Sequence, residues 1–180
     1  MKIPPKLLAA SAACLVTIAG FEGYRSVAYN DGVGVQTVGY GTTRYASGKA
    51  VKAGDRITPD RALVELAANV AAFEKEIRVC IGDVPLAQYE WDAFVSLAYN
   101  IGSARFCSSS VVRALKQTPP NYPAACRAIL LYVKAGGKVL RGLERRREAE
   151  FYICTDGVYP DGYVAPQADE LQDVEAADAP

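Results

Sequence analysis

The sequence predicts an α+β fold, a small N-terminal lobe with a β-hairpin and a larger helical lobe joined to it by a long helix. Three observations predict it. Turn residues alternate with β-branched and aromatic residues only between about 28 and 43, and apolar residues recur at helical spacing from 59 onward. The 180 residues, 51% hydrophobic and without an internal repeat, suit one domain with a substantial core.

Residues 7–21, LLAASAACLVTIAGF, carry no formal charge, follow Lys2 and Lys6, and precede Glu22. A basic flank before an apolar run is the order of an export signal. The run falls short of the roughly 20 apolar residues of a membrane span. Ala9, Ala10, Ser11, Ala12, Ala13, Thr17, Ala19 and Gly20 also leave it weakly hydrophobic. Four readings are open: a signal cleaved after Ser11-Ala12-Ala13, a lipoprotein site at Cys14, a buried N-terminal helix, and an uncleaved weak anchor that later packs Leu15, Val16 and Ile18 against the protein body.

The apolar helix is expected to run to about Tyr24. Asn30-Asp31-Gly32 is a turn signal, and the Val, Thr and Tyr residues after it predict a small hairpin. Thr58-Pro59-Asp60 reads as an N-cap, a proline in the first turn and an acidic start. Leu63, Leu66, Val70, Phe73 and Ile77 then predict a helix over 59–79. Pro85 opens a helix at roughly 86–101, with Phe94, Leu97, Ala98 and Ile101 inward. Shorter helices follow near 109–117 and 123–134, Gly136-Gly137 breaks the chain, and a basic helix spans about 142–153.

Composition narrows the chemistry. The chain has no histidine, which excludes Ser-His-Asp and Cys-His hydrolases and His-ligated metals, and its five cysteines form no CxxC pair. Acid–base chemistry falls to carboxylates, Lys, Tyr or a thiol. No cofactor or metal is expected. The 20 basic and 20 acidic residues cancel only overall, because Asp156, Asp161, Asp169, Glu170, Asp173, Glu175 and Asp178 sit in a tail without Lys or Arg. Residues 1–155 then hold 20 basic against 13 acidic groups, a balance of +7. Such a body favours an anionic partner, nucleic acid or a cell-wall polymer, and no nucleic-acid motif supports the former. The tail, 156–180, is expected to be disordered, given its like charge and Pro160, Pro166 and Pro180.

Glu22 ends an apolar helix after Phe21, a partly desolvated setting that suits a general acid. Asp31, nine residues on, lies on a polar turn that suits an ionised carboxylate, and Thr37, six further, offers a hydroxyl on the hairpin. One acid and one carboxylate are what glycoside hydrolysis requires. Taken alone, the three residues read equally as a helix-end charge, an Asx turn and a strand residue.

The longer string is more specific. Phe21-Glu22-Gly23-Tyr24-Arg25, Ala28-Tyr29-Asn30-Asp31 and Thr37-Val38-Gly39-Tyr40-Gly41-Thr42 resemble the phage-type lysozymes of glycoside hydrolase family 24. The resemblance continues through Pro85-Leu86, Asp92-Ala93-Phe94, Tyr99-Asn100-Ile101-Gly102, Phe106-Cys107-Ser108-Ser109 and Gly136-Gly137-Lys138-Val139-Leu140. It ends in Gly142-Leu143 and Arg145-Arg146-Arg147-Glu148-Ala149-Glu150, covering roughly 20–154.

The resemblance implies a lysozyme-like fold with a catalytic domain over 22–155. It also implies hydrolysis of the β-1,4 bond between N-acetylmuramic acid and N-acetylglucosamine in peptidoglycan. Glu22 would be the acid, with Asp31 and Thr37 holding the attacking water in an inverting mechanism. Asn100 is a candidate saccharide contact, and Arg145 or Arg146 a candidate stabiliser of the site. Thr42 stands where some members carry histidine, which alters local hydrogen bonding. The N-terminus (1–21) resembles that of signal-anchor-release endolysins, which implies inner-membrane tethering through residues 7–21, then release to the periplasm as a monomer.

Periplasmic oxidation makes Cys80, Cys107, Cys126 and Cys154 disulfide candidates. Cys107 and Cys126 stand where relatives carry a pair, which would leave Cys80 and Cys154 to join two helix ends. Four cysteines allow three pairings, and the choice stays open. Cys14 is left over. The rival readings are a lytic transglycosylase, which cleaves the same bond without water, and a catalytically dead wall-binding module.

Overall fold

The computed structural model describes residues 1–30 and 34–160. The chain divides into two compact units, one holding Met1–Cys14 with Val70–Asp161, the other holding Leu15–Asn69.

The second unit is the hairpin unit. Helix α1 (Ala12–Glu22) ends where Gly23 takes a left-handed φ of 68° and its N–H bonds Ala19 O at 3.1 Å. This left-handed stop cuts the helix two residues earlier than its apolar pattern suggests. Of the three residues expected to pack inward, Ile18 is fully buried and Leu15 half-buried, while Val16 is 69% exposed. Strands β1 (Arg25–Asn30) and β2 (Gln36–Gly39) form the predicted antiparallel hairpin, with Tyr29 opposite Thr37 and Asn30 opposite Gln36. Main-chain bonds from Ala28 N to Asp55 O (2.8 Å) and Ile57 N to Ser26 O (3.0 Å) brace its outer strand. Val38, Val51, Ile57 and Ala62 form a small core beneath it. Gly39 is required there, since at φ 68° a Cβ would lie 3.0 Å from that of Ala62.

Helix α2 (Pro59–Ile81) starts where Thr58-Pro59-Asp60 predicts and runs from the hairpin unit into the helical one. The helical unit is built around α3 (Gln88–Ile101), in which every residue from Glu90 to Ala98 is buried. Then come α4 (Ser103–Cys107), α5 (Ser110–Leu115), α6 (Tyr122–Ile129) and α7 (Arg141–Asp156). Ser109 and Asn121 cap α5 and α6 by accepting from Val112 N and Ala124 N. Trp91, Phe94, Leu97, Phe106, Leu115 and Ile129 are completely buried.

Several expectations change here. The helix read over 123–134 stops at Ile129, and a second hairpin, β3 (Lys134–Ala135) with β4 (Lys138–Val139), turns at Gly136 and Gly137. The segment α4 lies between the helices expected at 86–101 and 109–117, where none is predicted. Helix α7 runs to Asp156, Gly157 closes it in a left-handed cap, and Tyr159 donates to Asp92. The tail residues 161–180 lie outside the described residues.

All four disulfide candidates are bridged, but as Cys80–Cys107 and Cys126–Cys154 rather than Cys107–Cys126 and Cys80–Cys154. The bridges follow helix packing. Cys126 and Cys154 lie on α6 and α7, which pack side by side, and the first bridge ties the end of α2 to the end of α4. Cys14 is a buried free thiol, and burial, followed by the neighbouring Asp92 carboxylate, raises its pKa well above the usual thiol value.

Candidate active site

Glu22 is the last residue of α1, half-buried, with only Gly23 and Tyr24 between it and β1. The tight stop at Gly23 and the Tyr24 hydroxyl, which donates to Ile57 O at 2.7 Å, hold this helix-to-strand corner. The rings of Tyr24 and Tyr40 pack 5.5 Å apart beside it.

Thr37 lies on β2, 4% exposed, and its hydroxyl oxygen has no hydrogen-bond partner among the described residues. A buried hydroxyl left this way costs about 1–3 kcal/mol, so its retention asks for a reason. Asp31 lies outside the described residues. It follows Asn30, whose side-chain oxygen accepts from Gly34 N at 3.1 Å and draws the two ends of the loop together. Thr42 is completely buried and accepts from Asn69 Nδ2 at 3.4 Å, a neutral pair.

In the helical unit, the three consecutive arginines of α7 separate by direction. Arg145 is exposed and lines a hollow with Glu148, Ala149, Tyr152, Val158 and Pro160. Arg146 is buried, its Nε 3.1 Å from Glu150 Oε1, and it reaches Ser96 O. Arg147, which sequence reasoning did not select, is fully buried, lies 3.0 Å from Glu150 Oε2, and donates to Asn100 Oδ1 at 2.8 Å. Ser96 donates to Glu150 Oε1 at 2.6 Å. Asn100 sits on the last turn of α3, exposed, with its oxygen held by Arg147. Its orientation is therefore set from the interior. Successive residues on a helix turn by about 100°, so a run of three arginines does not announce which one points inward.

A half-buried carboxyl at the end of a helix, in the same unit as a hairpin whose buried hydroxyl has no hydrogen-bond partner among the described residues, can host acid-assisted bond cleavage. The class this fold and corner define is the lysozyme-like glycoside hydrolases. Comparison with known proteins narrows the class: the sequence profile of the family described as Phage lysozyme matches residues 19–150, and the chain belongs to that family. It is 39% identical over 126 residues to the endolysin of Salmonella phage P22, covering 70% of this chain and 84% of that one. It is 33% identical over 138 residues to the SAR-endolysin of Enterobacteria phage P21, covering 77% and 79%. Among solved structures, an endolysin from the Escherichia coli O157:H7 phage FAHEc1 superposes with a TM-score of 0.77 at 35% identity, covering 86% of this chain and 98% of that one. Family membership makes this chain a glycoside hydrolase with the lytic role of an endolysin.

Proposed function

We propose that the chain hydrolyses the β-1,4 bond between N-acetylmuramic acid and N-acetylglucosamine in peptidoglycan, with inversion at the anomeric carbon. Glu22 gives its proton to the glycosidic oxygen as the bond to C1 breaks. Water held by Thr37 and Asp31 attacks C1 from the opposite face and passes its proton to the Asp31 carboxylate. The observation that carries this reading is the buried Thr37 hydroxyl without a partner among the described residues. A water-using mechanism gives that oxygen a task, whereas a transglycosylase, whose nucleophile is the substrate's own hydroxyl, leaves it idle. Asn100, oriented by Arg147, is the proposed saccharide contact, and the basic body suits an anionic wall.

Two features support export by way of a membrane-tethered state. The segment 7–21 has the flanking charge and weak hydrophobicity of a temporary anchor, and a relative carrying the SAR-endolysin name is 33% identical. No helix among the described residues is long and apolar enough to cross a membrane, so an anchored state requires the segment to adopt a longer helix than α1.

Product analysis tests the reaction. Purified wall digested in H₂¹⁸O should yield reducing muramic acid ends carrying one ¹⁸O, formed initially as the α-anomer. Products ending in 1,6-anhydromuramic acid would establish the transglycosylase instead, and an initial β-anomer would overturn inversion.

A further inference from the structure

The first 14 residues belong to the helical unit, and their main chain is held there by side chains of α2 and α3. Residues 8–11 are not helical, and each has one backbone polar group bonded to a side chain of the body. Leu8 O accepts from Arg78 (2.6 Å), and Ala9 O from Gln88 (2.7 Å). Ala10 N donates to Glu74 (2.6 Å), and Ser11 N donates to Asp92 (3.1 Å). Ser11 Oγ also donates to Asp92 at 2.5 Å and accepts from Cys14 N, capping α1. Glu74 and Asp92 are both almost completely buried. Each has further donors: Trp91 Nε1 on Glu74 at 2.8 Å, and Gln88 Nε2 and the Tyr159 hydroxyl on Asp92. Two buried carboxylates thus face the N-terminal end of α1, where the helix dipole favours negative charge. Nearer the terminus, Ile3 and Leu86 exchange main-chain bonds of 2.9 Å, and Lys2 pairs with Glu90 while lying 3.5 Å from the centre of the Tyr122 ring.

In a bilayer, the same main-chain groups must be satisfied within a helix, because lipid offers no partners. The two environments therefore demand different conformations of residues 8–11, and only the body supplies partners for the unwound one. We propose that Glu74, Arg78, Gln88 and Asp92 are a receptor for the released anchor. They exchange the anchor's internal helix bonds for bonds to the body and so draw the segment out of the membrane. This rests on the temporary-anchor reading above. The receptor residues belong to the body and meet the segment through its main chain and Ser11 Oγ, so changing them alters release without changing how well the segment inserts in lipid. That separation makes the idea testable.

The full-length chain, exported in a Gram-negative host, is followed by fractionation after a protonophore collapses the membrane potential. Asp92→Asn and Glu74→Gln each turn acceptors toward donors. They should lower the ratio of soluble to membrane-bound protein about tenfold, the effect of losing one charged hydrogen bond. Gln88→Ala, at an exposed position that puts folding at little risk, should shift the ratio in the same direction. Protein recovered from the soluble fraction should lyse permeabilised cells at the wild-type rate per molecule. Ser96→Ala removes a buried hydrogen bond from the same helix away from the segment and should leave release unchanged. Wild-type release by Asp92→Asn and Gln88→Ala, or equal slowing by Ser96→Ala, would overturn the receptor while leaving the anchor reading intact. Wild-type protein that never enters the membrane fraction would overturn both.

Discussion

Replacing Cys126 and Cys154 together by alanine removes a bridge that spans 28 residues of sequence. In the chain-entropy treatment, closing a loop of that length removes about 3.5 kcal/mol of conformational freedom from the unfolded chain. For a protein of this size, each kcal/mol is worth about 2–4 °C, so the melting temperature should fall by roughly 10 °C. The Cys80–Cys107 bridge spans 27 residues, so its removal carries the same entropic cost. The two sites differ in burial. Cys126 and Cys154 are 3% and 1% exposed, whereas Cys80 and Cys107 are partly open. The buried pair leaves a void when truncated, and its double variant should be less stable by about a further 1 kcal/mol. Urea unfolding under oxidising conditions measures both. Thiol labelling with peptide mapping checks the pairing: Cys107→Ala should free Cys80 and no other bridged cysteine. Labelling of Cys126 in that variant would refute the helix-packing argument, as would stability within 0.5 kcal/mol of wild type, about the noise of the method, for both double variants.

Other perturbations probe the remaining buried polar groups. Glu150→Ala leaves Arg146 and Arg147 without their carboxylate and should cost about 3–5 kcal/mol in urea unfolding; a loss under about 1 kcal/mol would show that the arginines are satisfied elsewhere. Thr37→Val replaces a hydroxyl without a partner among the described residues by a methyl group of similar size. It should leave stability equal or up to about 1 kcal/mol higher while wall hydrolysis drops at least about tenfold; full activity would make Thr37 a structural hairpin residue. Burial, and then the hydrogen bond to Asp92, raise the Tyr159 pKa well above 10. Above pH 10 the unfolded chain therefore loses that proton while the folded protein keeps it. Stability should fall as pH climbs past 10, and Tyr159→Phe should flatten that slope; an unchanged slope in pH-dependent unfolding would contradict this.

Much of the fold is legible because local signals and packing agree. Thr58-Pro59-Asp60 marks the start of α2, and the repeat of Leu66, Val70 and Ile77 marks its buried face. The Val, Thr and Tyr residues after Gly34 place the second strand of the hairpin. Where the reading departs, a local signal had two meanings. Gly136-Gly137 reads as a break and is in fact the turn of a two-residue-per-strand hairpin, too short to show alternation. The expected helix at 86–101 ends where predicted, but α4 starts two residues later, in a stretch read as connecting chain. Ser11 reads as a small residue that weakens an apolar run, and its role as a helix cap bonded to Asp92 depends on a partner 81 residues away. The cysteine pairing was open for the same reason, since it depends on which helices become neighbours. Glu22 and Thr37 were legible only as candidates, through their spacing within the Phe21–Thr42 string. Arg147 was not, because only the packing of α7 against α3 shows which of three arginines turns inward.

Wall hydrolysis by Glu22→Gln tests the central claim, that Glu22 is the proton donor, most directly. Gln keeps the size and polarity of the half-buried side chain and removes only the acid. The variant should keep the wild-type circular dichroism spectrum and melting temperature while the initial rate of turbidity loss on permeabilised cells falls by roughly 10²–10⁴-fold. A folded Glu22→Gln protein that clears cells at close to the wild-type rate would contradict the assignment and return the source of the proton to the other carboxylates of the chain.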